Sequence, residues 1–143
     1  MIVLDTNVLS EPMRAKGDPA VAAWLDRQGR DSLYLTTVTL AELLLGLELL
    51  PLGLRRSRLE ARIAEVIAGF GERRILAFDI QAARRFAVLI ARARAAGHAI
   101  GVADGQIAAI AATHGFTVAT RDTAPFAAAG VPTIDPWNAA LSP

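Results

Sequence analysis

Apolar residues in this chain come in short runs, separated by longer stretches of helical period. Residues 2–5, Leu33-Tyr-Leu35, Arg74 to Phe78, Phe116 to Ala119 and Val131 to Ile134 read as five short strands. Asp18-Pro19 is an N-cap followed by proline at the first helical position, which predicts a helix over 19–28. A second helix runs from Thr39 to about Leu50, where Pro51 and Gly53 stop it. Residues 55–69 are amphipathic, with Arg55, Arg56, Arg58 and Arg62 on the wet side and Leu59, Ile63, Val66 and Ile67 on the dry side. Asp79 caps a long helix to about Ala96, ended by Gly97, and Asp104 to Thr113 is a helix ended by Gly115. Short apolar strands alternating with helices predict an α/β fold, a parallel sheet covered on both faces. There is no linker, repeat or low-complexity segment, and 143 residues suit a single domain over 1–143.

Composition adds limits. Hydrophobic residues make up 53% of the chain and mean hydropathy is +0.37, high for a soluble protein. The longest apolar stretches are broken, however: Leu40 to Leu54 by Glu42, Gly46, Glu48 and Pro51, and Ile100 to Ala119 by Asp104, Gln106 and His114. Neither supplies the roughly 20 uninterrupted residues of a membrane span. An acid at position 5 with no basic segment before it does not suit a signal peptide. The surplus apolar surface is expected to serve a core plus a protein interface. Leu43, Leu44, Leu45, Leu47, Leu49 and Leu50 are too dense for one helical face, so the helix is either wholly internal or buries a second face against a partner. The second reading predicts at least a dimer. Absence of cysteine fits the cytoplasm and excludes thiolate metal sites and cysteine nucleophiles. The net charge of +1 excludes little; the cations are nearly all Arg, with Lys16 the single Lys.

The chemistry lies in four acids. Asp5 ends the first apolar run, Glu42 sits in Thr39-Leu-Ala-Glu-Leu-Leu-Leu45, Asp104 in Ile100-Gly-Val-Ala-Asp-Gly-Gln-Ile107, and Asp122 follows the fourth strand in Thr120-Arg-Asp-Thr123. Each has a purely structural reading. Glu42 stands at capping-box spacing from Thr39. Asp104 suits an N-cap, and Asp5 and Asp122 suit turns at Asn7 and at Thr123 to Phe126. Yet Asp5 and Asp122 fall at the carboxyl ends of strands, where parallel sheets bind ligands, and Glu42 and Asp104, in first helical turns, can reach that rim. Buried carboxylates converging with few bases make an oxygen site for Mg²⁺ or Mn²⁺.

Other chemistries fare worse. His98 and His114 follow or precede helix-ending glycines and lack ligand spacing. No glycine-rich phosphate loop occurs, and Ser10, Ser32, Ser57 and Ser142 lack a nucleophile-elbow context. An aspartyl phosphatase would want a second Asp where Asn7 stands. Asp79 is assigned to capping, and Asp135-Pro-Trp137 to a C-terminal turn with a packing Trp.

Together these segments resemble the PIN-domain ribonuclease toxins of the VapC type, close to the FitB-like subgroup. The resemblance rests on Asp5-Thr-Asn-Val-Leu-Ser-Glu-Pro12, Ala41-Glu42 with Gly46, Ala103-Asp-Gly-Gln-Ile-Ala-Ala109, Ala119-Thr-Arg-Asp122 with Phe126, and Asp135-Pro-Trp137. It spans essentially the whole chain. It implies a three-layer PIN fold, a Mg²⁺- or Mn²⁺-dependent endoribonuclease in the cytoplasm, and a cognate antitoxin, a small DNA-binding protein, that blocks the site. It matches the family's acids to Asp5, Glu42, Asp104 and Asp122, and its small hydroxyl to Thr120 or Thr36. Many relatives carry Asn in place of Asp122 and Asp in place of Pro125, so the number of acids around a second metal position stays open here. On this reading Asp5 and Asp104 are the principal ligands, and Glu42 and Asp122 complete the shell or orient water. Asn7 and Thr120 orient the carboxylates, and Arg121 either holds substrate phosphate or is a solvated surface cation. Two alternatives stay open: a metal-dependent phosphoryl-transfer enzyme on a small substrate, and a catalytically idle module of the same fold.

Overall fold

The computed structural model describes residues 1–139. Five strands form the sheet: β1 (Ile2–Leu4), β2 (Leu33–Thr36), β3 (Ile75–Leu76), β4 (Thr117–Ala119) and β5 (Thr133–Ile134). Every neighbouring pair is parallel, in the order β3-β2-β1-β4-β5. The chain thus steps outward from β1 in one direction, returns, and steps out in the other. That reversal opens a crevice at the carboxyl ends of β1 and β4, where the two flanking connections diverge. Pairing of Leu4 with Ala119 brings the residues that follow them side by side, and the Asp5 amide donates to the Ala119 carbonyl at 2.9 Å.

Among the described residues seven α-helices cover the sheet: α1 (Thr6–Ser10), α2 (Pro19–Arg27), α3 (Thr37–Glu48), α4 (Leu54–Phe70), α5 (Ile80–Ala95), α6 (Val102–His114) and α7 (Ala124–Ala128). Strand alternation divides the core. Leu4 and Leu35 face Val8 and Leu9 of α1, Val21 and Trp24 of α2, Leu43 and Leu47 of α3 and Ile63 of α4. Val3 and Val118 face Ile107, Ala108 and Ala111 of α6 and Phe126 of α7. The result is the expected three-layer α/β architecture, with α5 packed outside α6. Among the described residues no helix is long and apolar enough to cross a membrane.

Most expected elements are present, with shifts at their ends. The Asp18 and Asp79 caps form as expected, accepting from Ala20 N and Ala82 N, each at 2.9 Å. Two short helices were not expected. α1 begins directly after β1, and α7 occupies what reads in sequence as a turn at Thr123 to Phe126. Both are only 5 residues long, too short to display a period. α3 begins earlier than expected. Thr36, extended at φ −117°, is its cap, accepting from Thr39 N at 3.0 Å. α6 likewise starts at Val102 with Gly101 before it.

The leucine-dense helix is not wholly internal. Leu43 and Leu47 are buried, whereas Leu44, Leu45 and Leu49 are exposed, and Leu52 and Leu54 beyond it are exposed too. Asp135-Pro-Trp137 forms the expected turn, with the Asp135 carboxylate accepting from Trp137 N at 3.0 Å and the indole packed against the α1–α4 core.

Candidate active site

Asp5 is the anchor. It leaves the end of β1 and is 5% exposed, so burial pushes its carboxyl above the ordinary carboxylate range. Hydrogen bonds oppose that rise without cancelling it. Thr6 N donates to Oδ1 at 2.8 Å, while the Thr120 hydroxyl and Asn7 Nδ2 donate to Oδ2 at 2.8 and 3.0 Å. Asp5 therefore caps α1, as the structural reading allows, and is also the centre of a polar cluster. A carboxylate offers about four lone-pair directions, and three donors leave one on Oδ1 for a further partner.

Asn7 and Thr120 both donate to Asp5. Asn7 bridges the two strand ends, with Nδ2 on Asp5 and Oδ1 accepting from Arg121 N at 3.2 Å. Thr120, fully buried, also accepts from Asp122 N at 3.2 Å. Thr36 is different. Its buried hydroxyl is committed to capping α3, 3.1 Å from the Thr39 hydroxyl, and reaches none of the four acids.

Asp104 lies in the first turn of α6 but does not cap it. Among the described residues nothing donates to its carboxylate. Partial burial raises its pKa first, and the charges of Asp5, Asp122 and Glu42 raise it further. Asp104 thus feels the charge of each of the other three acids. The capping-box reading of Glu42 fails, because Thr39 is inside α3 rather than at its cap. Glu42 Oε1 instead accepts from the Thr6 hydroxyl at 2.8 Å. Asp122 caps nothing either, since Thr123 stands before α7 and makes no side-chain cap bond. The premise that all four acids are buried is corrected as well: Asp5 is buried, Asp104 is half-buried, and Glu42 and Asp122 are exposed.

Thr6 is the polar partner that sequence reading misses. It is one residue from Asp5 but 36 from Glu42, and no local pattern links them. Another missed acid is buried Glu11. It accepts from Asp18 N at 2.9 Å and pairs with Arg14 at 3.3 Å, so it staples the loop before α2 and stands apart from the rim cluster. The Arg121 guanidinium lies over the Trp137 ring at 5.2 Å from its centre. It is exposed and makes a cation–π contact there.

The donor set is all oxygen, with both histidines exposed, which fits a hard cation of the Mg²⁺ or Mn²⁺ kind. Among the described residues no three acid or imidazole side chains stand close enough to enclose one ion. The two exposed acids would have to swing inward to complete a shell.

A parallel sheet with acidic residues at the carboxyl ends of its central strands is the architecture to which the relatives also belong. The PIN domain family model matches residues 2–131. VapC ribonuclease Y4jK of Sinorhizobium fredii is 51% identical over 144 residues, covering 98% of this chain and 100% of that one. Toxin FitB of Neisseria gonorrhoeae is 44% identical over 138 residues, covering 96% and 99%. The crystal structure of FitAcB from Neisseria gonorrhoeae superposes with a TM-score of 0.91 at 44% identity, over 96% of this chain and 99% of that one. The chain belongs to the PIN-domain family, among its VapC and FitB-type members.

Proposed function

We propose that this protein is the toxin of a toxin–antitoxin pair and an endoribonuclease that hydrolyses RNA phosphodiester bonds with Mg²⁺ or Mn²⁺. The observation that carries this is the Asp5–Asp104 pair at the crevice. Both pKa values are raised, and Asp104 has no protein donor among the described residues. A bound cation would relieve both conditions. Its chemistry, when bound, is to lower the pKa of water and neutralise charge at phosphorus.

The chain's own residues do the rest. Asp5, held on three sides by Thr6, Asn7 and Thr120, offers its free Oδ1 direction with little loss of conformational freedom. Asp104 supplies the second principal carboxylate. Glu42, steadied by the Thr6 hydroxyl, and Asp122, tethered through its amide to Thr120, orient water and accept its proton. Arg121, parked on Trp137, meets the substrate phosphate beside Asp122.

An RNA-cutting chain must be silenced in the cell that makes it, and a matched relative is itself named a toxin. The exposed leucines of α3 and the segment after it suit both a second copy and a small DNA-binding antitoxin, giving a homodimer or hetero-oligomer in the cytoplasm. The deciding experiment is purified protein with end-labelled RNA, in EDTA and with Mn²⁺. Metal-dependent internal cleavage is expected. Release of phosphate from mononucleotides with RNA left intact would favour the small-substrate enzyme, and no metal response at all would favour the idle module.

A further inference from the structure

A groove of about 1360 Å³ opens beside the acid rim. Thr6 and Glu42, a hydrogen-bonded pair, are among the residues that line it. Arg14 and Lys16 of the loop before α2 and Arg55, Arg58 and Arg62 of α4 also line it, among apolar side chains that include Leu43, Leu50 and Leu54. The three arginines stand at i, i+3 and i+7 on one face of α4, a row about 10 Å long at 1.5 Å per residue.

Two of these cations already have partners: Arg14 pairs with Glu11, and Arg62 donates to the Pro12 carbonyl at 3.0 Å. Lys16, Arg55 and Arg58 are exposed and, among the described residues, make no ion pair or side-chain hydrogen bond. Three uncompensated cations lining one groove favour a polyanion, since each phosphate neutralised releases counterions.

We infer that this groove carries a single strand of RNA, with the α4 arginines gripping phosphates on one side of the bond to be cut. The inference rests on the ribonuclease reading and adds the path of the substrate. The presence of Glu42 in the lining favours RNA over an acidic peptide. A strand whose scissile phosphate lies at the acids must continue past Glu42, whereas an acidic peptide gains nothing from ending against carboxylates. The narrow row along one helix suits a single strand more than a duplex.

The test is salt dependence of binding. A fluorescent single-stranded oligoribonucleotide is titrated in EDTA, which keeps it uncut, onto wild type, R55Q/R58Q and the control R84Q/R85Q on α5. Loss of two phosphate contacts should lower the slope of log K against log salt by about 1.4 and weaken binding roughly 20-fold at 0.1 M salt. The control should leave both unchanged. Equal loss in both double variants, or no loss in R55Q/R58Q with its melting temperature intact, overturns the path. So does a variant that keeps RNA affinity but loses a poly-glutamate peptide, which would make the groove a protein-docking site. Metal-dependent cleavage by wild type is read separately, so failure of the ribonuclease reading and failure of the path are distinguishable.

Discussion

Thr120 ties the two halves of the site together through one hydroxyl. It donates to a buried carboxylate at 2.8 Å, and a hydrogen bond to a charged group typically contributes about 1.5–3 kcal/mol. Thr120→Val should therefore destabilise the protein by about 1–3 kcal/mol at pH 7 in urea unfolding. The loss should shrink at low pH, where Asp5 is protonated and needs the donor less. An equal loss at both pH values would mean that only packing was disturbed. The variant should also cut RNA about 10- to 100-fold more slowly, the usual consequence of losing an outer partner of a metal ligand. Asp5→Asn and Asp104→Asn remove the principal carboxylates and should reduce Mn²⁺-dependent cleavage at least about 100-fold with the fold intact by circular dichroism. Full cleavage by either one would remove that residue from the site.

At the scale of elements, α6 carries Asp104 to the rim, and Gly105 sets how closely it lies against α5. A Cβ there would come within 2.9 Å of Ile90 Cδ1 and of a Phe86 ring carbon. The aromatic ring cannot yield as a flexible chain end would. Gly105→Val should lose about 1–3 kcal/mol by overpacking and force α5 and α6 apart, shifting Asp104. Thermal melting together with Mn²⁺ affinity checks this. A stable variant that binds metal as the wild type does would show that the α5–α6 spacing is not what positions the acid. The neighbouring connection is constrained more tightly still. A Cβ on Gly17 would lie 2.2 Å from the Glu11 carbonyl oxygen, so the turn that seats the Glu11 staple requires glycine.

For the whole molecule, the charges at the rim link stability to pH and metal. Asp5 and Asp104 both have raised pKa values in the folded state. Such acids hold their protons longer when folded than when unfolded. Their contribution to stability is therefore greatest below the unfolded pKa, falls as pH rises through the folded one, and stays low above it. Asp104→Asn should melt higher than wild type in EDTA at pH 7, with the difference vanishing towards pH 3. Mn²⁺ should raise the wild-type melting temperature at pH 7 and do little for the variant. Identical wild-type melting in EDTA and millimolar Mn²⁺ would show that the acids do not form one metal site. Solvent screens the half-exposed Asp104, so the shift should be modest. The exposed leucines carry a second prediction at this scale. Leu52 is 90% and Leu49 76% exposed, and light scattering should find at least a dimer at micromolar concentration. Leu45→Glu or Leu49→Glu should shift it towards monomer. A wild-type monomer, alone and with its antitoxin, would leave that surface without a partner.

What the sequence determined by itself is what depends on short-range periodicity. Apolar runs and amphipathic stretches define the five strands and the longer helices, because burial of a strand or a helix face forces a period of 2 or about 3.6 on the chain. The same patterning put Asp5 and Asp122 at strand ends, and the ordered motifs made the resemblance to the PIN-domain toxins legible. The tertiary structure decided what depends on contact between distant segments. The bond from Thr6 to Glu42, the committal of Thr36 to α3 and the resting place of Arg121 on Trp137 have no local signature. Nor does the split between buried and exposed leucines on α3, because a helix that is apolar all round has no period to say which side meets the sheet. The cationic groove is of the same kind. Arg55, Arg58 and Arg62 read in sequence as the wet side of a helix, and only tertiary packing brings them into one groove with Glu42.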